Sequence, residues 1–286
     1  MEITKSRFSN VYFRYAIYFL IANISLFSLV PQDHKLVYLI CGNVLLMSFI
    51  FILEQLTQKI KSRKFTLIAV LLTFFVAIYA ISPVTVMAGW PLNHEAYNWK
   101  YRTINYYLHF IQFDFFPIWS SGDCYTLGTP LPLFYHKLFY YLSAMIYLFL
   151  GHMKTTIITT LVIFELIAVV GMYRCLSILN LNNYVALALS LLILLMNYTS
   201  TDWLIRGNMA EFSALCLTPW LIYWCMSFIE TRRFSYSIIP ILVLLYLAHN
   251  IIAYYGVFVV LLSIIIVFLV EFKFNVFKHV LLRGLI

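Results

Sequence analysis

An all-α, polytopic membrane bundle is the fold class this sequence predicts, and three observations carry the prediction. Apolar runs of about 20 residues recur along the chain, and runs of that length cross a hydrocarbon core of about 30 Å as helices. Charged residues are 10% of the 286 positions against 63% hydrophobic ones, far from the balance of a soluble domain. The nineteen Lys and Arg mostly lie at the ends of the runs, as the positive-inside bias and anionic lipid account for. Helices follow because a backbone inside lipid has to satisfy its own N–H and C=O groups.

Lys5, Arg7 and Arg14 precede a first run over 15–31, and a short polar turn leads to a second over 36–53. The pair reads as an N-terminal transmembrane hairpin, 1–65, whose first run is a retained signal anchor. Four positive charges, Lys59, Lys61, Arg63 and Lys64, follow it. With that cluster in the cytoplasm, a third run over 66–88 leads outward, and the polar stretch 89–153 starts on the outer face. Further runs occur at 155–177, 184–201, 211–229 and 237–270, the last divisible into two short spans at His249-Asn250. That makes about eight spans, with a core over 66–271 and a basic cytoplasmic tail over 272–286. Arg232, Arg233 and the tail fall inside only if 131–150 does not cross. Its Tyr140, Tyr141, Tyr147, His136 and Lys137 suit a headgroup belt, so 131–150 is expected to be an interfacial or re-entrant outer helix. The stretch 115–122, between Asp114 and Asp123, reads as a short amphipathic helix ending in a turn, and Pro219 and Pro240 read as helix kinks.

A formal charge of +8 raises the question of nucleic acid, but basic residues at span ends are accounted for by topology and anionic lipid. Nucleic-acid binding is not expected. The five cysteines, at 41, 124, 175, 216 and 225, form no C-x-x-C pair and indicate neither a disulfide framework nor a zinc site. No inverted repeat marks a secondary transporter.

Under this topology three polar clusters, distant in sequence, reach one membrane face. Glu95, just past the third run, is placed to act as a general base on an acceptor hydroxyl, against the plain alternative of a solvated loop acid. Arg102 lies two helical turns on and shares a face with Glu95 in a helix. Its planar fork suits phosphate at headgroup level, or it pairs only with Glu95. Arg206 and Glu211 lie at the mouth of the sixth run, where Gly207 and Ala210 allow close backbone approach. Either Arg206 holds a phosphate leaving group, or the pair is an i,i+5 interfacial salt bridge on a snorkelling arginine. His249 and Asn250 interrupt a leucine run, as a structural break or as ligands for a sugar or phosphate. Glu165 is an intramembrane acid, for a proton relay or, more simply, a hydrogen-bonded buried carboxylic acid. The sequon Asn197-Tyr198-Thr199 abuts the membrane and carries no meaning as a glycosylation site.

The blocks Pro117, Trp119, Gly128, Pro130, Leu131, Phe134, Tyr135, Leu138, Tyr140, Tyr141 and Leu142 resemble the first large outer loop of GT-C superfamily membrane glycosyltransferases. The likeness is to the subgroup of 6-pyruvoyl-tetrahydropterin synthase-related membrane proteins. Arg206-Gly207 with Ala210-Glu211, Gly171 to Tyr173, and His249-Asn250 are similar in order and spacing, over about 66–270. The resemblance implies a GT-C-like fold in a bacterial inner membrane. It also implies transfer of a sugar from a polyprenyl-phosphate donor to an envelope acceptor at the outer face, with an acid of the first outer loop as base. Glu95 stands where members carry Asp, Trp99 where they often have His, and His136-Lys137 where they have Pro-Pro. Relatives usually continue through more spans and a soluble domain. The expected site is therefore Glu95 as base, with Arg102, Arg206, Glu211, His249, Asn250 and Tyr135 binding substrate. A divalent metal is an open cofactor, and lipid and the lipid-linked sugar are the partners. A non-catalytic lipid-binding or assembly protein is the second reading, and a flippase the third.

Overall fold

The computed structural model describes residues 62–86, 89–91, 93–120, 127–134 and 136–283. The hairpin expected before residue 62 lies outside them. Among the described residues every regular element is helical, and extended backbone pairs only at an isolated antiparallel bridge between Ser120 and Thr129.

Helix α1, Ser62–Ala80, is followed after one turn residue by α2, Ser82–Val86. The third run therefore does not form one helix over 66–88. Pro83 has no N–H and disfavours helical geometry in the residue before it, so the helix stops and restarts with Pro83 in a first turn. Helix α3, Ala96–Ile111, begins at Glu95, whose carbonyl accepts from the N–H groups of Asn98 and Trp99 at 2.8 and 3.3 Å. It ends at Phe113, which has a positive φ of 61°.

The helix expected over 115–122 is absent from the part described. Residues 114–119 are irregular and Ser120 pairs with Thr129 through N–H···O bonds of 2.8 and 3.0 Å. Pro117 again bars helix from the residue before it. Gly128 has φ 80°, and a Cβ there would run into the Trp119 indole, which gives the Trp119 and Gly128 of the sequence blocks a packing reason.

The segment 131–150 divides into α4, Leu131–Phe134, and α5, Leu138–Leu150. Thirteen residues make a rod of about 20 Å, short of the hydrocarbon thickness. The expected short helix is found and one side of it is packed: Phe139, Tyr140, Ser143 and Ala144 are buried where α5 packs between α3 and α6, while Met145, Leu148 and Phe149 are exposed. Gly151, at φ 63°, closes α5, and His152 caps α6, Met153–Ile178, by accepting from Thr155 N–H at 3.3 Å. The two helices fold back on each other, with Ser143 Oγ donating to Thr160 Oγ1 at 3.1 Å and Phe139 stacked on Phe164.

The next span, 183–206, is a composite: α7, Asn183–Leu192; a 3₁₀ turn, Ile193–Leu195; α8, Asn197–Ser200; and a π turn, Thr201–Arg206. After Gly207 the chain reverses into α9, Met209–Thr231, which runs through Pro219 unbroken. Helices α10, Ile238–Ala248, and α11, Asn250–Arg283, meet at His249, which is extended with φ −161°. Gly256 lies against Leu221, Leu242 and Leu245, so α11 turns back along α10. Pro240 stands in the first turn of α10, where its missing N–H costs no helical bond, so the kink expected there is not needed. The tail expected from 272 continues α11 to Arg283 without a break.

Four helices are long and apolar enough to cross a membrane, Met153–Ile178, Asn183–Arg206, Met209–Thr231 and Asn250–Leu269. The apolar stretches Leu67–Ala80, Leu138–Leu150 and Ile238–Ala248 are shorter. The protein is an all-helical integral membrane protein with four such spans among the described residues, where the sequence suggested about eight in all. The broadest helix contact joins α6 to α9. Lipid is as apolar as leucine, so close packing holds spans together, and small residues supply it here: Ala168, Gly171, Ala210, Ser213 and Ala214 are buried. Trp220 donates to the Ile167 carbonyl at 2.9 Å, and a Cβ on Gly171 would stand 2.7 Å from its ring. Gly171→Val is therefore expected to lose about 1–3 kcal/mol by overpacking, read as a lower thermal unfolding midpoint in detergent.

Candidate functional site

The last carbonyls of a helix lack intrahelical partners, and at the end of the π turn Ile205 and Arg206 are exposed while Gly207 is buried. Two of these carbonyls receive the loop before α3: Asn93 Nδ2 donates to Leu204 O at 3.1 Å and to Trp203 O at 3.4 Å. Asn93 Oδ1 accepts from Glu95 N–H at 3.1 Å, and the fully buried Trp99 donates its indole N–H to Gly207 O at 2.7 Å. Gly207 has φ 72°, and a Cβ there would lie 2.5 Å from Asn93 Oδ1 and 3.1 Å from Glu95 N. Glycine is required twice over, for the left-handed backbone and for the approach of the loop.

This docking sets Glu95 beside Gly207. Its Oε2 accepts from Arg102 Nη1 at 3.2 Å, with the two side chains 31% and 12% exposed. Arg102 Nη1 also lies 3.3 Å from Tyr140 OH, and the guanidinium stands 5.3 Å from the centroid of that ring. The face shared by Glu95 and Arg102 in sequence is a contact in the fold.

Arg206 sits between two carboxylates, Asp202 Oδ1 at 2.7 Å and Glu211 Oε2 at 2.8 Å. The spacing of five would serve poorly on one continuous helix. The Gly207 turn removes that difficulty by starting a new helix between the two residues. Asn208 caps α9 by accepting from Glu211 N–H at 3.2 Å, while its Nδ2 donates to Glu211 Oε2 at 3.0 Å, a near relative of the capping box. Glu211 Oε1 takes the Tyr198 hydroxyl. Asp202 is 1% exposed and its Oδ2 has no hydrogen-bond partner.

The third cluster gains a member that the sequence placed in the headgroup belt and not at the site. His136 and His249 stack with ring centroids 4.3 Å apart. His136 Nδ1 accepts from Asn250 N–H at 3.3 Å, His249 Nδ1 from Ile252 N–H at 3.5 Å, and Lys137 N–H donates to Leu247 O at 3.0 Å. Two imidazoles thus cap the start of α11. Burial, then the neighbouring His249, push the His136 pKa down to about 4, with Arg102 acting in the same direction and Asn250 against it. Burial also lowers that of His249, while Glu211 raises it and Arg206 lowers it.

The three clusters are therefore neighbours at one end of the bundle: Glu95 abuts Gly207, Arg102 acts on His136, and Arg206 and Glu211 act on His249. Tyr135 lies outside the described residues. Asn93, Trp99, Tyr140, His136 and Tyr198 were not read as site residues. Of the new contacts only the Asn208-x-x-Glu211 spacing has a sequence signature, that of a capped helix start. Glu165 stands apart, fully buried in α6, and neither carboxyl oxygen has a hydrogen-bond partner, against the hydrogen-bonded acid expected. Among the described residues no three His, Cys, Asp or Glu side chains group as a metal cage would require, and Cys175, Cys216 and Cys225 are free.

Two outcomes follow from this geometry. Gly207→Ala is expected to cost about 1–3 kcal/mol from backbone strain and lost docking, measured as a lower unfolding midpoint and faster protease cleavage near residue 93. His136 binds its proton less tightly folded, at about 4, than unfolded, near 6.5, so its contribution to stability is complete above 6.5 and declines as pH falls toward 4. A scan of unfolding midpoint against pH should show that decline, and His136→Asn should flatten it.

No curated protein and no solved structure matches the chain. The family of 6-pyruvoyl-tetrahydropterin synthase related domains, described as membrane protein, matches residues 133–283. The matched segment holds His136, the α5–α6 hairpin, Arg206, Glu211, His249 and Asn250, while Glu95, Arg102 and the Pro117–Pro130 blocks lie before it. With more than half of its length inside that match, and with the all-helical membrane architecture described above, this chain belongs to the 6-pyruvoyl-tetrahydropterin synthase related family of membrane proteins.

Proposed function

We propose that the protein is a GT-C-like glycosyltransferase of the bacterial inner membrane, with about eight spans in all, moving a sugar from a polyprenyl-phosphate donor to an envelope acceptor at the outer face. The observation that carries this reading is Glu95. It is the partly open carboxylate at the meeting of the three clusters, held by a buried loop and set against Arg102 at 3.2 Å. In this mechanism Glu95 takes the proton of the acceptor hydroxyl as that oxygen bonds to the anomeric carbon. The bond from the anomeric carbon to the phosphate oxygen breaks on the opposite side, and its electron pair leaves with the lipid phosphate. Arginine N–H groups stabilise the charge that develops there. Asp202, Arg206 and Glu211 offer acceptors and donors for sugar hydroxyls, and His249 and Asn250 stand where they orient the donor. No step is assigned to a metal.

One observation favours the second reading, a non-catalytic lipid-binding or assembly protein. Glu95 lies before the segment matched to the family, so the family assignment does not extend to the proposed base.

The test is transfer from a polyprenyl-phosphate sugar by the purified chain, with Glu95→Gln alongside. Loss of a general base is expected to slow transfer about 10²-fold or more. Undiminished transfer by the variant would remove Glu95 from the mechanism, and no transfer by the parent chain, with lipid still bound, would favour the second reading.

A further inference from the structure

Helix α9 carries an open stripe that begins at the candidate site and runs down the span. Glu211, Leu215, Thr218 and Ile222 are each at least partly exposed, and their spacing of four, three and four puts them on one helix face. At 1.5 Å per residue the stripe is about 16 Å long, about half of a hydrocarbon core of about 30 Å. It has the depth of one leaflet.

The stripe is one wall of a groove. A cavity of about 170 Å³ lies between it, α6 and the composite span, where the 3₁₀ turn gives way to α8 through Met196 in extended backbone. Its lining includes the buried Ala168 and Cys216 and the unbranched Met172 and Met196, side chains that adapt to an irregular apolar guest. Thr218 spends its hydroxyl on the Ala214 carbonyl at 2.9 Å. Tyr198 joins the groove to the site, for it lines the one and its hydroxyl bonds to Glu211 Oε1 in the other. An apolar cavity of about 150 Å³ stays dry and takes a six-carbon ring, so this one seats about one five-carbon isoprene unit. A neighbouring helix, about 10 Å across, is too wide for a recess of this volume.

We infer that this groove, bounded by α6, the composite span and the Glu211–Ile222 stripe, holds the polyprenyl chain of a lipid-linked ligand whose polar head sits at Tyr198, Arg206 and Glu211. The inference rests on the proposed polyprenyl-phosphate donor and says where its hydrocarbon goes. A length of one leaflet suits a lipid with its head at the membrane surface. The space that the small Ala168 leaves open takes the branch methyls, which a straight chain lacks.

The experiment uses the full chain in detergent micelles, titrated with geranyl, farnesyl and dodecyl phosphate, with bound ligand counted by native mass spectrometry. Farnesyl phosphate is one isoprene unit longer than geranyl phosphate. It is expected to bind about tenfold more tightly than geranyl phosphate, and more tightly than the straight-chain dodecyl phosphate. Ile222→Trp fills the far end of the groove from an exposed position, where packing is least disturbed, and is expected to remove the farnesyl advantage with geranyl phosphate unaffected. Leu215→Trp fills the groove nearer the head and should weaken both isoprenoids about tenfold. Affinities unmoved by either variant, or dodecyl phosphate bound as tightly as farnesyl phosphate, overturn the inference. So does a failure to bind any isoprenoid, as when a further segment or a second copy occupies the groove. The transferase reading is judged separately by Glu95→Gln. Affinities unmoved by both tryptophans, with transfer abolished by Glu95→Gln, would sink the groove alone; the expected pattern of binding without transfer by the parent chain would keep the groove and remove the transferase.

Discussion

The bond from the Trp99 indole to the Gly207 carbonyl, 2.7 Å long and fully buried on the tryptophan side, is the contact on which the rest of this structure depends. The carbonyls at the end of the π turn and at the buried Gly207 have no helix to bond them, and an unmet buried carbonyl is costly. The loop before α3 and the first turn of α3 answer that need with Asn93 and Trp99. In doing so they fix the start of α3, and so the position of Glu95 and Arg102 relative to Arg206. Gly207 makes the arrangement possible because it alone tolerates both the left-handed φ and the pressure of Asn93. Removal of a partner here would leave buried polar backbone without a hydrogen bond.

Charge is distributed around that contact unevenly. Arg206 is held between two carboxylates, Asp202 and Glu211, whereas Arg102 pairs with Glu95 and lies against the Tyr140 ring.

The stacked histidines join this centre to the fold at large. His136 precedes α5 and His249 separates α10 from α11, yet both supply acceptors to the first turn of α11. The neutral imidazole is the form that can accept there, and burial keeps it neutral. The short helices α5 and α10 are thereby pinned at one point, with Lys137 N–H on Leu247 O closing the junction. Both are shorter than the four long spans; α5 starts beside His136 and α10 ends at His249.

The sequence by itself determined the class of the protein and the placement of its longer helices. Composition and run length are local quantities, and a lipid solvent leaves little choice but helix. The spans at 155–177, 184–201 and 211–229 and the break at His249 were legible for that reason, as was the shared face of Glu95 and Arg102, seven residues apart. Proline chemistry could have been read more strictly at Pro83 and Pro117, where it overrides apolar patterning. What only the tertiary structure decided is which partners meet: His136 with His249, Tyr198 with Glu211, Trp99 with Gly207. Such pairs leave no periodic trace, since they depend on a π turn and a one-residue reversal whose geometry is settled by packing and by the need to satisfy buried polar atoms.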